Sequence, residues 1–270
     1  MERDFINIEI PSDRESLFAE LKEKFNPEGS RLRTYQLSLL NILIEFDKYA
    51  RENNITYSLA YGTALGAIRH KGYIPWDDDI DIMMTRDEWN HFEAIIKKNP
   101  QLTNKLSVRF RLKPEIVMEN VGIIDLFILD VPPNGSFKRY LKRMRVSLLQ
   151  WLYRCTIYFD AWRAGLKPHL KAWQILMPIA LMRKTSSWEK SWNKAVNSMR
   201  NTNSIEYCDY TAAVRDIHRI FPQSAFDGHV EVEFEGYKFP IIKGYDEFLT
   251  CAYGNYMDMP HSKHNHGRVN

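Results

Sequence analysis

The chain has 270 residues, of which 44% are hydrophobic and 13% are aromatic. This composition supplies enough apolar surface for a sizeable core and excludes a chain that is disordered as a whole. The formal net charge of +3 is too small for the global field to indicate a protein that binds nucleic acid, so no nucleic-acid partner is expected.

The N-terminal part of the chain predicts short elements that lead to the most informative stretch. Alternating apolar residues at 5–10 predict a strand-like lead, and residues 15–25 predict a short helix. Residues 31–52 have apolar side chains at helical spacing, which predicts an amphipathic helix packed on the core. Residues 55–60 predict the strand that delivers the chain to this stretch.

The stretch from Tyr61 to Met84 contains an acidic segment that predicts a metal site. Asp77, Asp79 and Asp81 alternate with apolar residues, which is the pattern of a strand with carboxylates about 7 Å apart on one face. Such carboxylates can share a pair of divalent cations, and oxygen-only ligands favour Mg²⁺ or Mn²⁺. The alternative is a solvated acidic turn, but the flanking apolar residues favour a buried site, where unpaired charges cost several kcal/mol each.

The beginning of the same stretch predicts a phosphate site. Gly62 and Thr63 follow the predicted strand, and a helix is expected to start there and to run to Ala67 or Arg69. The N–H groups at a helix start bind anions, and Thr63 adds a hydroxyl. Arg69 and Lys71 then lie in a basic loop that can bind a diphosphate, although a solvated loop is the alternative.

Two segments of the sequence resemble a known family. The first, GTALGAIRHKGYIPWDDDIDIMM, resembles the signature of the LicD family of phosphorylcholine transferases, which includes the fukutin-related proteins and has a nucleotidyltransferase fold. The second, VEFEGYKFPIIKGYDEFLTCAYGNYMDMP, resembles the C-terminal block of that family. The resemblance implies an α+β fold, in which a nucleotidyltransferase-like mixed sheet is flanked by helices. It also implies that Gly62 and Thr63 hold the nucleotide phosphates.

Further along the chain, a helix and two strands are predicted. Thr85 and Glu88 fit a capping box for a helix that continues to Lys98, and residues 106–112 alternate as a strand with a basic face. The apolar run at 121–129 predicts a buried strand that contains Asp125, a charge that needs an explanation. The resemblance implies that Asp125 is the third carboxylate of the metal site. Asp130, at the strand end, is the competing candidate and is more easily a turn cap.

These patterns divide the chain into three segments. Residues 1–133 are the predicted catalytic core, 134–204 a helical insertion rich in basic and aromatic residues, and 205–270 the C-terminal part of the core with a hairpin, a helix and a flexible tail. The insertion is typical of an interfacial helix that contacts anionic lipid or the acceptor. An internal helical subdomain with a basic exterior is the equal alternative.

The resemblance implies transfer of a substituted phosphoryl group, such as phosphocholine, from a CDP-linked alcohol donor to a hydroxyl of a glycan or lipid-linked glycan, with release of CMP. Asp79, Asp81 and Asp125 would then be catalytic and would bind Mg²⁺ or Mn²⁺, with Asp77 as a further candidate ligand. Nucleotidyl transfer from an NTP, and a non-catalytic glycan- or membrane-binding module, are the alternatives.

Sequence features also predict the compartment. The charged N-terminus lacks the apolar core of a signal peptide, and no segment has the length of a spanning helix. The three cysteines form neither a zinc pattern nor a disulfide framework. A cytoplasmic protein, or one that is peripheral on the inner face of the cell membrane, is therefore expected. The transferred alcohol, the acceptor and the oligomeric state stay open.

Overall fold

The computed structural model describes residues 12–110, 113–165, 173–200, 203–212 and 216–258. The predicted strand at 5–10 and the histidines of the C-terminal tail lie outside these residues. The described residues divide into two compact units. The first unit comprises those up to Ile128 and those from Phe221 onward, and the second is Leu129–Ile220.

Helices account for most of the regular structure in the described residues. They are α1 (Ser12–Phe25), α2 (Arg31–Glu52), α3 (Tyr61–His70), α4 (Arg86–Ile96), α5 (Ser136–Arg163), α6 (Trp173–Ala180), α7 (Thr185–Val196) and α8 (Tyr245–Tyr253). The strands are β1 (Ser58–Leu59), β2 (Asp81–Thr85), β3 (Leu106–Phe110), β4 (Pro114–Met118), β5 (Gly122–Asp130), β6 (Glu206–Asp209), β7 (Ile220–Pro222), β8 (His229–Phe234) and β9 (Tyr237–Ile242).

The first unit is built on a sheet with the strand order β1-β2-β5-β4-β3. The pairs β1–β2, β3–β4 and β4–β5 are antiparallel. Strands β8 and β9 form a separate antiparallel pair, in which Phe234 lies opposite Tyr237 as the predicted hairpin requires. The predicted α+β fold with a mixed sheet is therefore confirmed.

Helix α2 supplies much of the core of the first unit. Its N-cap Ser30 accepts a hydrogen bond from the Arg33 N–H, so the helix begins at Arg31 as predicted. Leu39, Ile42 and Phe46 are fully buried at the expected helical spacing. The Thr85–Glu88 capping box that begins α4 is also present.

The structure differs from two of the predicted strands and has three strands that were not predicted, β4, β6 and β7. The strand expected from Asp77 begins only at Asp81, because the Asp77 N–H donates to the Ile74 carbonyl and closes a turn. Strand β1 covers only the two residues that pair with Met83 and Ile82. Strand β4 was not predicted, because its residues lack a polar alternation: all five are buried.

The second unit is mainly helical and has its own core. Val146 of α5 packs with Trp192 and Val196 of α7 and with Tyr210. The last residues of β5 belong to this unit, where Asp130 pairs with Cys208 of β6. No helix in the described parts of the chain is both long enough and apolar enough to cross a membrane.

Candidate active site

Three of the predicted carboxylates lie together in the first unit. Asp79 lies in the loop before β2, Asp81 is the first residue of β2, and Asp125 lies in β5. One carboxylate oxygen from each residue lies within 4.8 Å of the other two. The Asp125 N–H donates to the Ile80 carbonyl at 3.0 Å, which holds β5 beside the acidic segment.

The acidic segment concentrates negative charge in a buried place. Asp77, Asp78 and Asp79 form a second group within the same 4.8 Å limit, and all three are buried. Burial raises the pKa of Asp77 well above its usual range, and the charges of Asp79 and Asp81 raise it further. A cation among these oxygens would relieve that repulsion. The oxygen-only donor set therefore fits a hard divalent ion such as Mg²⁺ or Mn²⁺.

The first turn of α3 lies against the acidic segment. The Thr63 hydroxyl oxygen accepts a hydrogen bond from the Asp81 N–H at 2.9 Å, so this helix and β2 are joined at the site. A Cβ atom on Gly62 would lie 2.8 Å from an Asp77 carboxylate oxygen, so only glycine allows this approach. The N-cap Ala60 makes no side-chain cap, and N–H groups at such a helix start can bind phosphate oxygens.

Arg69 has a different place from the one predicted. It is buried, and its guanidinium donates to the carbonyls of Tyr256 and Asp258 at 2.8 and 2.9 Å. Burial lowers the pKa of Arg69 to about 10, and no carboxylate contributes to this change. The hydrogen bonds thus fix the segment after α8, and diphosphate binding by Arg69 stays a prediction.

The two basic residues that follow Arg69 in the sequence, His70 and Lys71, also lie in defined places within the protein. Lys71 is the left-handed C-cap of α3, and its carbonyl accepts a hydrogen bond from the Glu235 N–H at 2.8 Å. Its side chain lines a cavity of about 210 Å³ together with Lys22. Burial, and then the charge of Arg69, lower the pKa of His70 to about 3, so this ring is neutral.

The two candidates for the third carboxylate have different surroundings. Asp125 lies in the group with Asp79 and Asp81. Asp130 accepts a hydrogen bond from the Val131 N–H, as the expected turn cap, and its carboxylate lies 2.7 Å from the Arg200 guanidinium.

Sequence reasoning missed one cation at the site. The Lys113 ammonium lies 2.9 Å from an Asp125 carboxylate oxygen and 3.7 Å from the centre of the Phe127 ring. This position places a positive charge beside the acidic group and over an aromatic face. Lys113 immediately precedes β4, and the register that pairs Glu115 with Asp125 brings it close. Without that strand no sequence pattern could have identified it.

Comparison with known proteins identifies relatives of this chain. A family model described as "LicD/FKTN/FKRP, nucleotidyltransferase domain" matches residues 54–115. The lipopolysaccharide cholinephosphotransferase LicD of Haemophilus influenzae is 31% identical over 253 residues, which cover 85% of this chain and 92% of that protein. An uncharacterized protein of Rickettsia typhi is 41% identical over 92 residues, or 34% of this chain and 28% of that protein. One of Rickettsia prowazekii is 39% identical over 66 residues, or 24% and 25%.

Proposed function

This chain belongs to the LicD family, and on that premise we propose that it transfers phosphocholine from CDP-choline to a hydroxyl of a lipopolysaccharide or related glycan, releasing CMP. The proposal is supported by the cholinephosphotransferase activity for which the Haemophilus influenzae relative is named, since this chain is similar to that protein over most of its length. The observation that carries it is the approach of Asp79, Asp81 and Asp125 within 4.8 Å.

Asp79, Asp81 and Asp125 would hold the divalent cation, Mg²⁺ or Mn²⁺, with Asp77 as a further ligand. Such an ion, when bound, offsets the negative charge of a diphosphate and of the departing phosphate. Because ligands on two separate backbone segments must meet, the hydrogen bond from the Asp125 N–H to the Ile80 carbonyl would have a positioning role.

The other residues would bind and orient the reactants. The first-turn N–H groups at Gly62 would bind phosphate oxygens of the donor, and Thr63 would position Asp81 through the observed hydrogen bond. The acceptor hydroxyl oxygen would attack the phosphorus that carries the choline group. The bond between that phosphorus and the CMP phosphate oxygen would break, and CMP would leave. The hydroxyl proton would leave to Asp125 or to water. Arg69 and Lys71 stay candidate phosphate ligands: Arg69 donates to the Tyr256 carbonyl, and the observed hydrogen bond of Lys71 is made by its backbone carbonyl.

The test measures CMP release from a panel of CDP-alcohols that includes CDP-choline, CDP-ethanolamine, CDP-glycerol and CDP-ribitol, with a lipopolysaccharide acceptor. We expect release that requires Mg²⁺ or Mn²⁺ and stops when EDTA is added. Asp79→Asn and Asp81→Asn should each lower the rate by on the order of 100-fold or more. Asp87→Asn is the matched control, because Asp87 is an exposed aspartate in the first turn of α4.

The alternative outcomes separate the other functions. Pyrophosphate release from a nucleoside triphosphate, without turnover of any CDP-alcohol, would replace this proposal with nucleotidyl transfer. A preference for a CDP-alcohol other than CDP-choline would keep the reaction class and change the transferred group. Equal rates in Asp79→Asn, Asp81→Asn and Asp87→Asn would refute the assignment of the acidic group.

A further inference from the structure

Helix α5 of the second unit exposes apolar side chains along one face. At about 100° per residue they lie in a single stripe, which we call the α5 stripe. Between 44% and 72% of the surface of each side chain is exposed to solvent. The stripe consists of Phe137, Tyr140, Leu141, Met144 and Leu148.

The core of the second unit uses the opposite face of the same helix. Val146 is fully buried against Trp192 and Tyr210, and Gln150 is buried and donates to the Ala212 carbonyl at 3.0 Å. On a helical projection Val146 lies about 180° from Phe137. Apolar residues that a folded core requires are therefore already on the other side, and the α5 stripe is additional to them.

The charged residues of α5 around the stripe are all positive. From Ser136 to Phe159 the sequence contains six lysine and arginine residues and no aspartate or glutamate. Lys138 and Arg145 are exposed at one border of the stripe, and Arg143 is half-buried at the other. None of these three has an ion pair within the described residues.

Two other cations of this helix near the stripe have contacts inside the unit. Arg139 forms an ion pair with Glu206 at 2.5 Å, and Lys142 is buried with its ammonium 4.3 Å from the centre of the Tyr210 ring. Arg139 and Lys142 thus have protein contacts, whereas Lys138, Arg143 and Arg145 border the stripe. The bordering residues offer positive charge to something outside the chain.

We infer that the α5 stripe docks on an anionic phospholipid leaflet. Aromatic and long aliphatic side chains bordered by lysine and arginine are the composition of a helix that lies in a membrane interface. The apolar side chains would enter the boundary between headgroups and acyl chains, and the bordering cations would contact lipid phosphates. A second copy of this chain fits less well, because a symmetric contact would bring like charges together.

The stripe has the dimensions of a local docking site. From Phe137 to Leu148 it extends about 17 Å along the helix at 1.5 Å per residue. That length suits attachment of one helix parallel to the surface. The inferred docking of the α5 stripe does not depend on the proposed transferase activity, since lipid binding requires neither donor nor acceptor.

The test is co-sedimentation of the full chain with vesicles of equal parts phosphatidylcholine and phosphatidylglycerol, and with vesicles of phosphatidylcholine alone. We expect binding to the anionic vesicles that weakens as salt is added. Lys138→Gln/Arg145→Gln should weaken that binding about 30-fold at low salt, because each of the two cations contributes near the surface.

A matched pair of double variants tests the apolar stripe. Leu141→Gln/Leu148→Gln should reduce binding by at least about tenfold, because both leucines would be in the interface. Leu17→Gln/Leu37→Gln makes the same chemical change at leucines of similar exposure in α1 and α2, and should bind like the wild type. Circular dichroism and the Tm should be unchanged in both, since all four side chains are exposed.

Three results would overturn the inference. They are absence of wild-type binding to anionic vesicles, equal binding by the two leucine double variants, and equal binding to vesicles with and without phosphatidylglycerol. A fourth result that would overturn the inference comes from sedimentation velocity. A dimer that Leu141→Gln/Leu148→Gln abolishes, without any vesicle binding by the wild type, would assign the stripe to self-association.

Discussion

Gly62 offers the sharpest test of the geometry around the acidic group. In Gly62→Ala the new methyl carbon would lie 2.8 Å from an Asp77 carboxylate oxygen, whereas ordinary contact begins at 3.4 Å. The carboxylate must therefore move by at least about 0.6 Å, the difference between these two distances. Because Asp77 is buried beside Asp79, such a movement would disturb the arrangement proposed to bind the cation.

The expected effect is larger on activity than on stability. A displacement of about 1 Å in a catalytic arrangement can cost about 100-fold in rate, so 0.6 Å should cost on the order of tenfold or more. Overpacking costs about 1–3 kcal/mol, and alanine regains about 0.5–1 kcal/mol in a helix. The net loss of about 0–2.5 kcal/mol should lower the Tm by a few degrees, up to about 10 °C.

Gly66 of the same helix provides the control. A Cβ atom there would lie 2.5 Å from the Gly72 carbonyl oxygen, which is backbone and cannot rotate away. Gly66→Ala should therefore lower the free energy of unfolding by about 3 kcal/mol or more, and its Tm should fall further than that of Gly62→Ala. Thermal unfolding and CMP release are measured for both variants.

A second-site change distinguishes the proposed clash from a general effect of the methyl group. Asp77→Ser removes the clashing carboxylate, so the Tm of Gly62→Ala/Asp77→Ser should return to that of Asp77→Ser alone. The reasoning would be refuted if Gly62→Ala kept full activity and its metal dependence. It would also be refuted if Asp77→Ser left the Tm loss of Gly62→Ala unchanged.

Two further predictions concern the cations near the site. Lys113→Met should lower the Tm without metal and enlarge the rise in Tm on adding Mg²⁺, because Asp125 loses the ammonium 2.9 Å away; an unchanged rise would contradict this. Arg69→Met should lower the Tm by several degrees, because it removes hydrogen bonds to the Tyr256 and Asp258 carbonyls. If Arg69 instead bound the donor, the KM for CDP-choline would rise at constant Tm.

Local patterns were sufficient for the elements whose residues repeat regularly. Helix α2 has the predicted bounds because its apolar spacing and its Ser30 cap both lie within the segment itself. The β8–β9 hairpin was predicted from the alternation at 229–234 and from the Glu235-Gly236 turn, where both residues have positive φ. Asp77, Asp79 and Asp81 were identified as candidate ligands in the same way, because they occur as one dense run, whereas the role of Asp125 was implied by the family resemblance.

Patterns within one segment could not predict contacts between distant segments. Arg69 resembles a phosphate ligand in the sequence, yet its hydrogen bonds are made 187 and 189 positions away. Lys113 lies at the edge of β4, which has no alternation to mark it. Arg69 and Lys113 are both visible in the sequence as positively charged residues. Only the tertiary arrangement determines which groups they contact.

The choice between Asp125 and Asp130 shows where sequence reasoning reaches its limit. The two residues are five positions apart in β5, so the alternation of a strand directs them to opposite faces. That rule shows that both cannot serve one site, but it does not say which one does. The answer depends on the neighbour of β5: the Asp125 N–H is bonded to the Ile80 carbonyl, directly between Asp79 and Asp81. The proposed choice of Asp125 as the third carboxylate therefore depends on strand order, which no single segment records.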